Sequence, residues 1–349
     1  LRGGGLLTNN SVLNLSGSGL KQVLETTYFQ NTNTINFTSS GRLDLADGFL
    51  TNFAFALIDL QVGNGSISGT QITTHPFTNN GTIRRSNSTG NFFISVPTFN
   101  NRFIELLTGE LEFFGTNVFE HTNDSYIMGI GTLDVPQLPD YINDGTISPG
   151  LSLGSLPGTL TIEGNFKSSS SSDYLIDING HTQGTEHDAI QILGNASEGN
   201  AIFEGTIYVT LGFEPSINDE FIIATTTGTI TNCNLTSPTT ASFNGNTYTF
   251  DVTCRNNNEV VLTVVNPLSV NEFDTETISI YPNPTKNLLF IDNVKNKVET
   301  VEVISASGQV ILRQKLNGNS ISISNLSEGI YFIKMYSKQS VITKKFIKI

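Results

Sequence analysis

The chain is 349 residues long, only 14 % charged, and carries a net charge of −13, with glycine, asparagine, serine and threonine abundant. That length accommodates two domains of globular rather than disordered composition. No apolar run is long enough to cross a bilayer as a helix and no long helical periodicity occurs; sparse charge with frequent turn formers implies many short strands joined by tight turns.

The charge is unevenly placed. Residues 1–276 hold eight Lys/Arg against twenty-seven Asp/Glu, a net of −19, while residues 277–349 hold ten against four, a net of +6. Two units of different character are expected, and the acidic first unit disfavours nucleic acid as a partner. The chain opens at Leu1 with no charged-then-apolar signal ahead of the repeats, so an export signal is expected to have been removed or to lie further upstream.

From the N-terminus, an Asn-rich turn followed by a short β run recurs: Asn9-Asn10-Ser11-Val12-Leu13, Asn31-Thr32-Asn33-Thr34-Ile35, Asn79-Asn80-Gly81-Thr82-Ile83, Asn100-Asn101-Arg102-Phe103-Ile104 and Asn143-Asp144-Gly145-Thr146-Ile147. Anchored on Asn10, Asn33, Asn80, Asn101 and Asp144, the spacings are 23, 47, 21 and 43, two near one unit and two near double it. A period of about 21 to 24 residues matches one coil of a parallel β-helix, whose strands bury a core only by stacking. A β-sandwich or jelly roll is the competing reading. Further on, Tyr174, Ile176 and Ile178 alternate with Leu175 and Asp177, and Ile207, Val209 and Leu211 with Tyr208 and Thr210, as strands with one inward face do.

Residues 267–276 are polar and acidic and read as an exposed linker between a body, 1–266, and a C-terminal unit, 277–349. That unit shows seven apolar-alternating runs: 278–281, 288–292, 299–304, 308–314, 320–324, 329–336 and 340–348. Val301 and Val303 flank Glu302, Pro282 and Pro284 end the first run, and Ser307-Gly308 and Asn317-Gly318 are turn pairs. The expectation is a small, seven-stranded, immunoglobulin-like two-sheet β-sandwich.

Two resemblances attach to these residues. Ile280-Tyr281-Pro282-Asn283-Pro284, Leu288-Leu289-Phe290-Ile291, Ser307-Gly308-Gln309-Val310, Ser327-Glu328-Gly329-Ile330-Tyr331-Phe332 and the terminal Lys344-Lys345-Phe346-Ile347-Lys348-Ile349 together resemble the type-A C-terminal sorting domain of the Bacteroidetes type IX secretion system. The resemblance implies export to the cell surface or outside, recognition by the outer-membrane secretion machinery, and removal of the domain as the passenger is joined to surface lipopolysaccharide or released. It implies a sorting signal on Tyr281, Pro282, Asn283, Pro284, Gly308, Gly329, Tyr331, Lys344, Lys345 and Lys348. Turn geometry at the glycines and core packing at Tyr331 account for the same residues. Within residues 140–265, Ser148-Pro149-Gly150-Leu151-Ser152-Leu153-Gly154 and the strands after it resemble autotransporter and haemagglutinin-like β-helix passengers. In an exported chain, Cys233 and Cys254 are expected to pair; two buried free thiols are the alternative.

Candidate chemistry is thin. His181, Glu186, His187 and Asp188 form the densest cluster, but neighbouring strand residues face opposite sides, so His187 and Asp188 are not expected to converge. Asp44, Asp47 and Gly48 lack the ligand spacing of a calcium loop and read as a turn. Of Glu105, Glu110, Glu112 and Glu120, Glu110 and Glu112 share one strand face, read as solvated. Phe92-Phe93 and Phe113-Phe114 each put one ring inward and one outward, where a row of rings would contact a glycan or a partner; there is no tryptophan. No catalytic residue, metal ligand or cofactor is expected. The passenger reads as adhesin-like or structural, with a glycan or a host or cell-surface ligand; the alternative is a polysaccharide-degrading lyase or hydrolase.

Overall fold

Every regular element among the described residues is a β-strand. The computed structural model describes residues 4–23, 27–69, 77–114, 118–135, 141–151, 156–194, 198–265, 278–292, 298–306, 308–316, 318–336 and 341–349, so the expected linker, 267–276, lies outside the described residues. By its internal contacts the chain divides into two units, Leu1–Pro267 and Leu268–Ile349.

The first unit is a parallel β-solenoid. Its first sheet stacks Leu6–Asn9, Tyr28–Asn31, Phe49–Asn52, Phe77–Asn79, Thr98–Asn100 and Phe119–His121, all parallel. Each of these six coils also gives one strand to a second and one to a third sheet, for example Thr34–Phe37 and Arg42–Asp44 in the second coil. Strict two-residue alternation drives one face of every strand inward. In the second sheet Ile35, Ile58, Ile83, Ile104, Ile127 and Ile147 lie in register, all fully buried. Each side chain thus removes most of its apolar surface from water, at about 25 cal/mol per Å².

An asparagine ladder marks the turn between the first and second sheets. Asn31, Asn52, Asn79 and Asn100 are fully buried and bonded amide to amide along the solenoid axis. Successive members from Asn9 to His121 are 22, 21, 27, 21 and 21 residues apart. Two coils were hidden inside the doubled spacings of the sequence pattern, one anchored on Asn52 and one on His121. The ladder satisfies amide groups that would otherwise be orphaned in the interior.

The parallel stack continues through Thr146–Pro149, Asp173–Ile178 and Ala201–Leu211. It gives way to antiparallel pairing before the end of the unit. Glu220–Thr226, Glu259–Val265, Asn246–Arg255 and Thr239–Phe243 pair antiparallel and close the third sheet. The disulfide Cys233–Cys254, Cα–Cα 6.3 Å, joins Ile230–Leu235 to this closing hairpin. Tyr174, Ile176, Ile178 and Ile207 point inward and Tyr208 is exposed, as the alternation requires. Asp177 is buried despite its outward phase.

Among the described residues the second unit has the expected seven strands, Ile280–Tyr281, Leu288–Ile291, Thr300–Ser305, Val310–Lys315, Ser320–Ser322, Gly329–Tyr336 and Val341–Lys348. They form one three-stranded and one four-stranded antiparallel sheet around Leu289, Ile291, Val301, Val303, Ile333 and Phe346. No helix among the described residues is long and apolar enough to cross a membrane.

Candidate functional site

The residues of the C-terminal unit expected to carry the sorting signal fall into two groups. Asn283 clamps the last strand: its Oδ1 accepts from Ile347 N at 2.9 Å and its Nδ2 donates to Lys345 O at 3.1 Å. Thr285, just after Pro284, extends the clamp, with its N donating to Ile347 O and its O accepting from Ile349 N. The Tyr-Pro-Asn-Pro segment therefore fixes the C-terminus of the chain, a role invisible in the sequence because it joins residues more than sixty apart. Tyr331 stacks on Phe346 at 5.7 Å and donates to Ser327 O. Gly308 turns at a φ of +86°, which a glycine accommodates without strain. Gly329 pairs with Lys348 inside the sheet. On the surface, Tyr281 is 52 % exposed and stacks on Phe290, and Lys345 is exposed. Lys344 is half-buried, and Lys348 is buried with Nζ donating to Ile349 O. The basic tail is thus not one charged surface.

In the solenoid, the histidine cluster does not converge. His181 stacks on Phe221 at 5.5 Å and lies 3.6 Å from Asp219. His187 is buried between Gly180 O and Ile222 O, and burial lowers its pKa. Asp188 accepts from Gly158 N and Asp177 N, each at 2.8 Å, tying two coils together; burial pushes its carboxyl up to about 8. Glu186 accepts from Thr182 N and Oγ1, which hold its pKa down. Asp44 accepts from Ala46 N in the expected turn.

A convergent cluster does exist, and the coil register builds it. In the third sheet Glu110–Phe113, Thr132–Asp134 and Thr159–Glu163 are neighbours, with Glu112 beside Asp134 and Asp134 beside Glu163. Oxygens of Glu110, Glu112 and Asp134 lie within 4.8 Å of one another, and these are the residues able to hold a metal ion among the described ones. Glu110 and Glu112 share a face as their spacing implies, but they are half-buried rather than freely solvated. Burial, then Glu112, Glu110, Glu163 and Glu198, push Asp134 from 3.8 up to about 7. Burial first also raises Glu110 and Glu112. Phe93 sits beside Glu112 in the same outward row and meets Phe114 edge-on at 6.5 Å, with Phe114 57 % exposed. Phe92 and Phe113 are buried, as the alternation required. Chemically, a carboxyl whose pKa burial pushes up toward neutrality, set beside further carboxyl groups, suits proton transfer, and three carboxyl groups with converging oxygens suit a hard divalent cation.

Residues 279–349 match the family model of the secretion system C-terminal sorting domain. A type IX domain of this kind indicates export to the cell surface or the extracellular space and interaction with the type IX secretion machinery. The chain thus carries a sorting domain behind a β-solenoid. No curated protein matches the chain. Among solved structures, PorZ, described as an essential bacterial surface component of the type IX secretion system of the human oral bacterium Porphyromonas gingivalis, is similar at 12 % identity. That match covers 32 % of this chain and 16 % of the other, with a TM-score of 0.20.

Proposed function

We propose that the solenoid is an adhesin-like passenger that presents its third-sheet face to an extracellular ligand after export, and that Tyr281 and Lys345 belong to the exposed part of the sorting signal. The observation that carries this reading is a stacked, repeat-built solenoid joined to a sorting domain, since a solenoid offers a long lateral surface rather than an enclosed pocket. A glycan is the ligand class proposed, because exposed Phe114 and half-buried Phe93 supply ring surface beside hydrogen-bonding carboxylates.

The second reading, cleavage of a polysaccharide, draws support from the Glu110, Glu112, Asp134 and Glu163 row. Asp134 would serve as the proton donor and a neighbouring glutamate as the base or nucleophile. One experiment separates the two. The intact chain and its Asp134→Asn variant are screened for glycan binding and for release of new ends from the bound glycan. Binding without cleavage, retained in the variant, is the adhesin result. Cleavage lost in the variant is the enzyme result, and no glycan bound removes both. For the sorting signal, Y281A and K345A full-length variants are followed to the cell surface of a type IX-competent host; normal surface levels would remove both residues from it.

A further inference from the structure

We infer that the third coil carries a binding site for a neutral oligosaccharide at the corner between the first and second sheets, with Phe53 and Phe55 as stacking rings. The inference takes up the reading of the solenoid as a ligand-presenting passenger but uses none of the third-sheet residues, so either site can fail without the other.

The coils turn this corner on a common plan. Thr32, Phe53, Asn80, Asn101 and Thr122 donate their N–H groups to the carbonyls of Asn9, Asn31, Asn52, Asn79 and Asn100 in the preceding coils, and so stand in one row. That row is polar except at Phe53. Asn101 Nδ2 donates to Asn80 Oδ1 at 2.8 Å and Thr32 Oγ1 to Asn10 Oδ1 at 2.7 Å, and Phe53 interrupts the series. The third coil also takes a longer path. One residue separates Thr32 from Thr34, Asn80 from Thr82 and Asn101 from Phe103, whereas three separate Phe53 from Leu57.

The extra residues place Phe55 third in a turn closed by Ala56 N donating to Phe53 O at 3.0 Å, with a φ of +67°. Glycine or asparagine ordinarily takes such a place, and a bulky side chain there is strained. Burial does not offset the strain. Phe55 is 103 % exposed and Phe53 38 %, and neither meets another ring among the described residues. Turn length does not demand phenylalanine either: the sixth coil makes a turn of the same length, closed by Ser125 N donating to Thr122 O, with Asn123 and Asp124 at its tip. The third-coil turn is held from below. Buried Asn52 donates to Ala56 O, and Gly81 of the next coil lies where a Cβ would collide with Ala56 O and Phe53 O. The rings are therefore fixed before any ligand arrives, which is how backbone strain is kept at a binding site.

The surroundings select the ligand. Thr32 and Asn80 flank Phe53, Thr34 and Thr82 flank Leu57, and Thr51 and Thr78 pair just ahead of the turn. All six are uncharged and none is fully buried. A sugar stacks its apolar face on a ring and bonds its hydroxyls to such a rim. The outward charges next along the second sheet, Asp59 and Arg84, are taken up by Ser86 and Glu105. An anionic sugar finds no free cation in this rim, and the net charge of −19 over residues 1–276 repels an anionic lipid surface. A protein partner would need more apolar ground. A fully exposed ring offers about 200 Å², well short of the about 800 Å² per partner that a stable interface buries. The same coil carries a second platform: Phe49, in the same outward phase four residues before Phe53, stacks on Tyr28 at 5.1 Å, and Tyr28 is 54 % exposed. Four residues of strand span roughly 13 Å, longer than one sugar ring, so the two platforms fit a chain of sugars.

The test titrates the intact chain calorimetrically with the neutral hexasaccharides of cellulose, xylan, mannan and chitin and with the anionic hexamer of galacturonic acid. Saturable binding of at least one neutral hexamer, little changed between low and high salt, is expected, with none of the anionic one. F55N should weaken that binding about tenfold or more. Because asparagine suits the left-handed backbone, F55N should also melt no lower than the parent, so lost binding cannot be laid to a lost fold. Binding weakened by F114S but untouched by F55N would put the glycan on the third sheet and overturn this site. Failure of all four neutral hexamers, preference for the anionic hexamer, or equal affinity of F55N and parent would overturn it as well. So would reversible self-association of the intact protein that F55N abolishes, because a second copy would then be the occupant.

Discussion

At the scale of single residues, the ladder and the acidic row make opposite demands on pH. His121 ends the ladder: its Nδ1 lies 3.0 Å from Asn100 Nδ2, and since an amide nitrogen can only donate there, the ring proton must sit on Nε2. That Nε2 is buried without a partner, and burial lowers the pKa from 6.5 to about 3. The unfolded chain therefore binds more protons between those values, so this contribution is whole above pH 6.5 and lost as pH falls toward 3. The loss is expected to reach about 5 kcal/mol at most. H121N should remove this segment of the acid dependence, and urea titrations at pH 7, 5 and 4 check it. Asp134 runs the other way. Its folded pKa is raised, so its contribution is whole below 3.8 and lost as pH climbs through about 7. D134N should therefore raise stability at pH 8 by on the order of 1 kcal/mol, solvent screening having reduced the nominal shift, and change little at pH 3.5. Unequal melting temperatures of variant and parent at pH 3.5 would contradict it.

At the scale of elements, the closing hairpin depends on its staple. Cys233 and Cys254 lie 21 residues apart in sequence, a loop whose closure in the unfolded chain is worth about 3 kcal/mol. The paired C233S/C254S variant should lose about that much, read from the denaturation midpoint, while keeping its β circular dichroism. The strands Asn246–Arg255 and Glu259–Val265 are long and pair over seven residue positions, so they hold without the bond. Element identity was written locally. The seven strands described in the C-terminal unit follow from two-residue alternation, because a strand with one face on a core must alternate wherever it lies. The antiparallel end of the solenoid was not visible, since alternation is the same in parallel and antiparallel strands.

At the scale of the whole molecule, the two units have separate cores, one running from Val23 to Val264 and the other from Ile278 to Phe346. A truncation ending at Val265 should accordingly fold, with β circular dichroism and a cooperative melt, and should fail to reach the surface of a type IX-competent host. A truncated chain that melts without cooperativity would mean that the solenoid draws stability from the second unit.

The sequence by itself determined the all-β class, the repeat, the division of charge and the sorting domain, because each is carried by residues close together in the chain. Asn9, Asn31, Asn79, Asn100 and Asn143 announced the coils directly. Asn52 and His121 did not, because the residues after them, Phe53-Ala54 and Thr122-Asn123, break the Asn-turn pattern while the backbone keeps its course. Only the tertiary structure decided which side chains share a row. Asp134 and Glu163 come to Glu112 through inter-coil pairing, and coils of unequal length hide that pairing from any fixed spacing. The same holds for Asn283, whose bonds to Ile347 and Lys345 exist only once the last strand has returned across the sheet. Period and alternation are properties of neighbours in the chain; register, burial and the pKa values they set belong to neighbours in space.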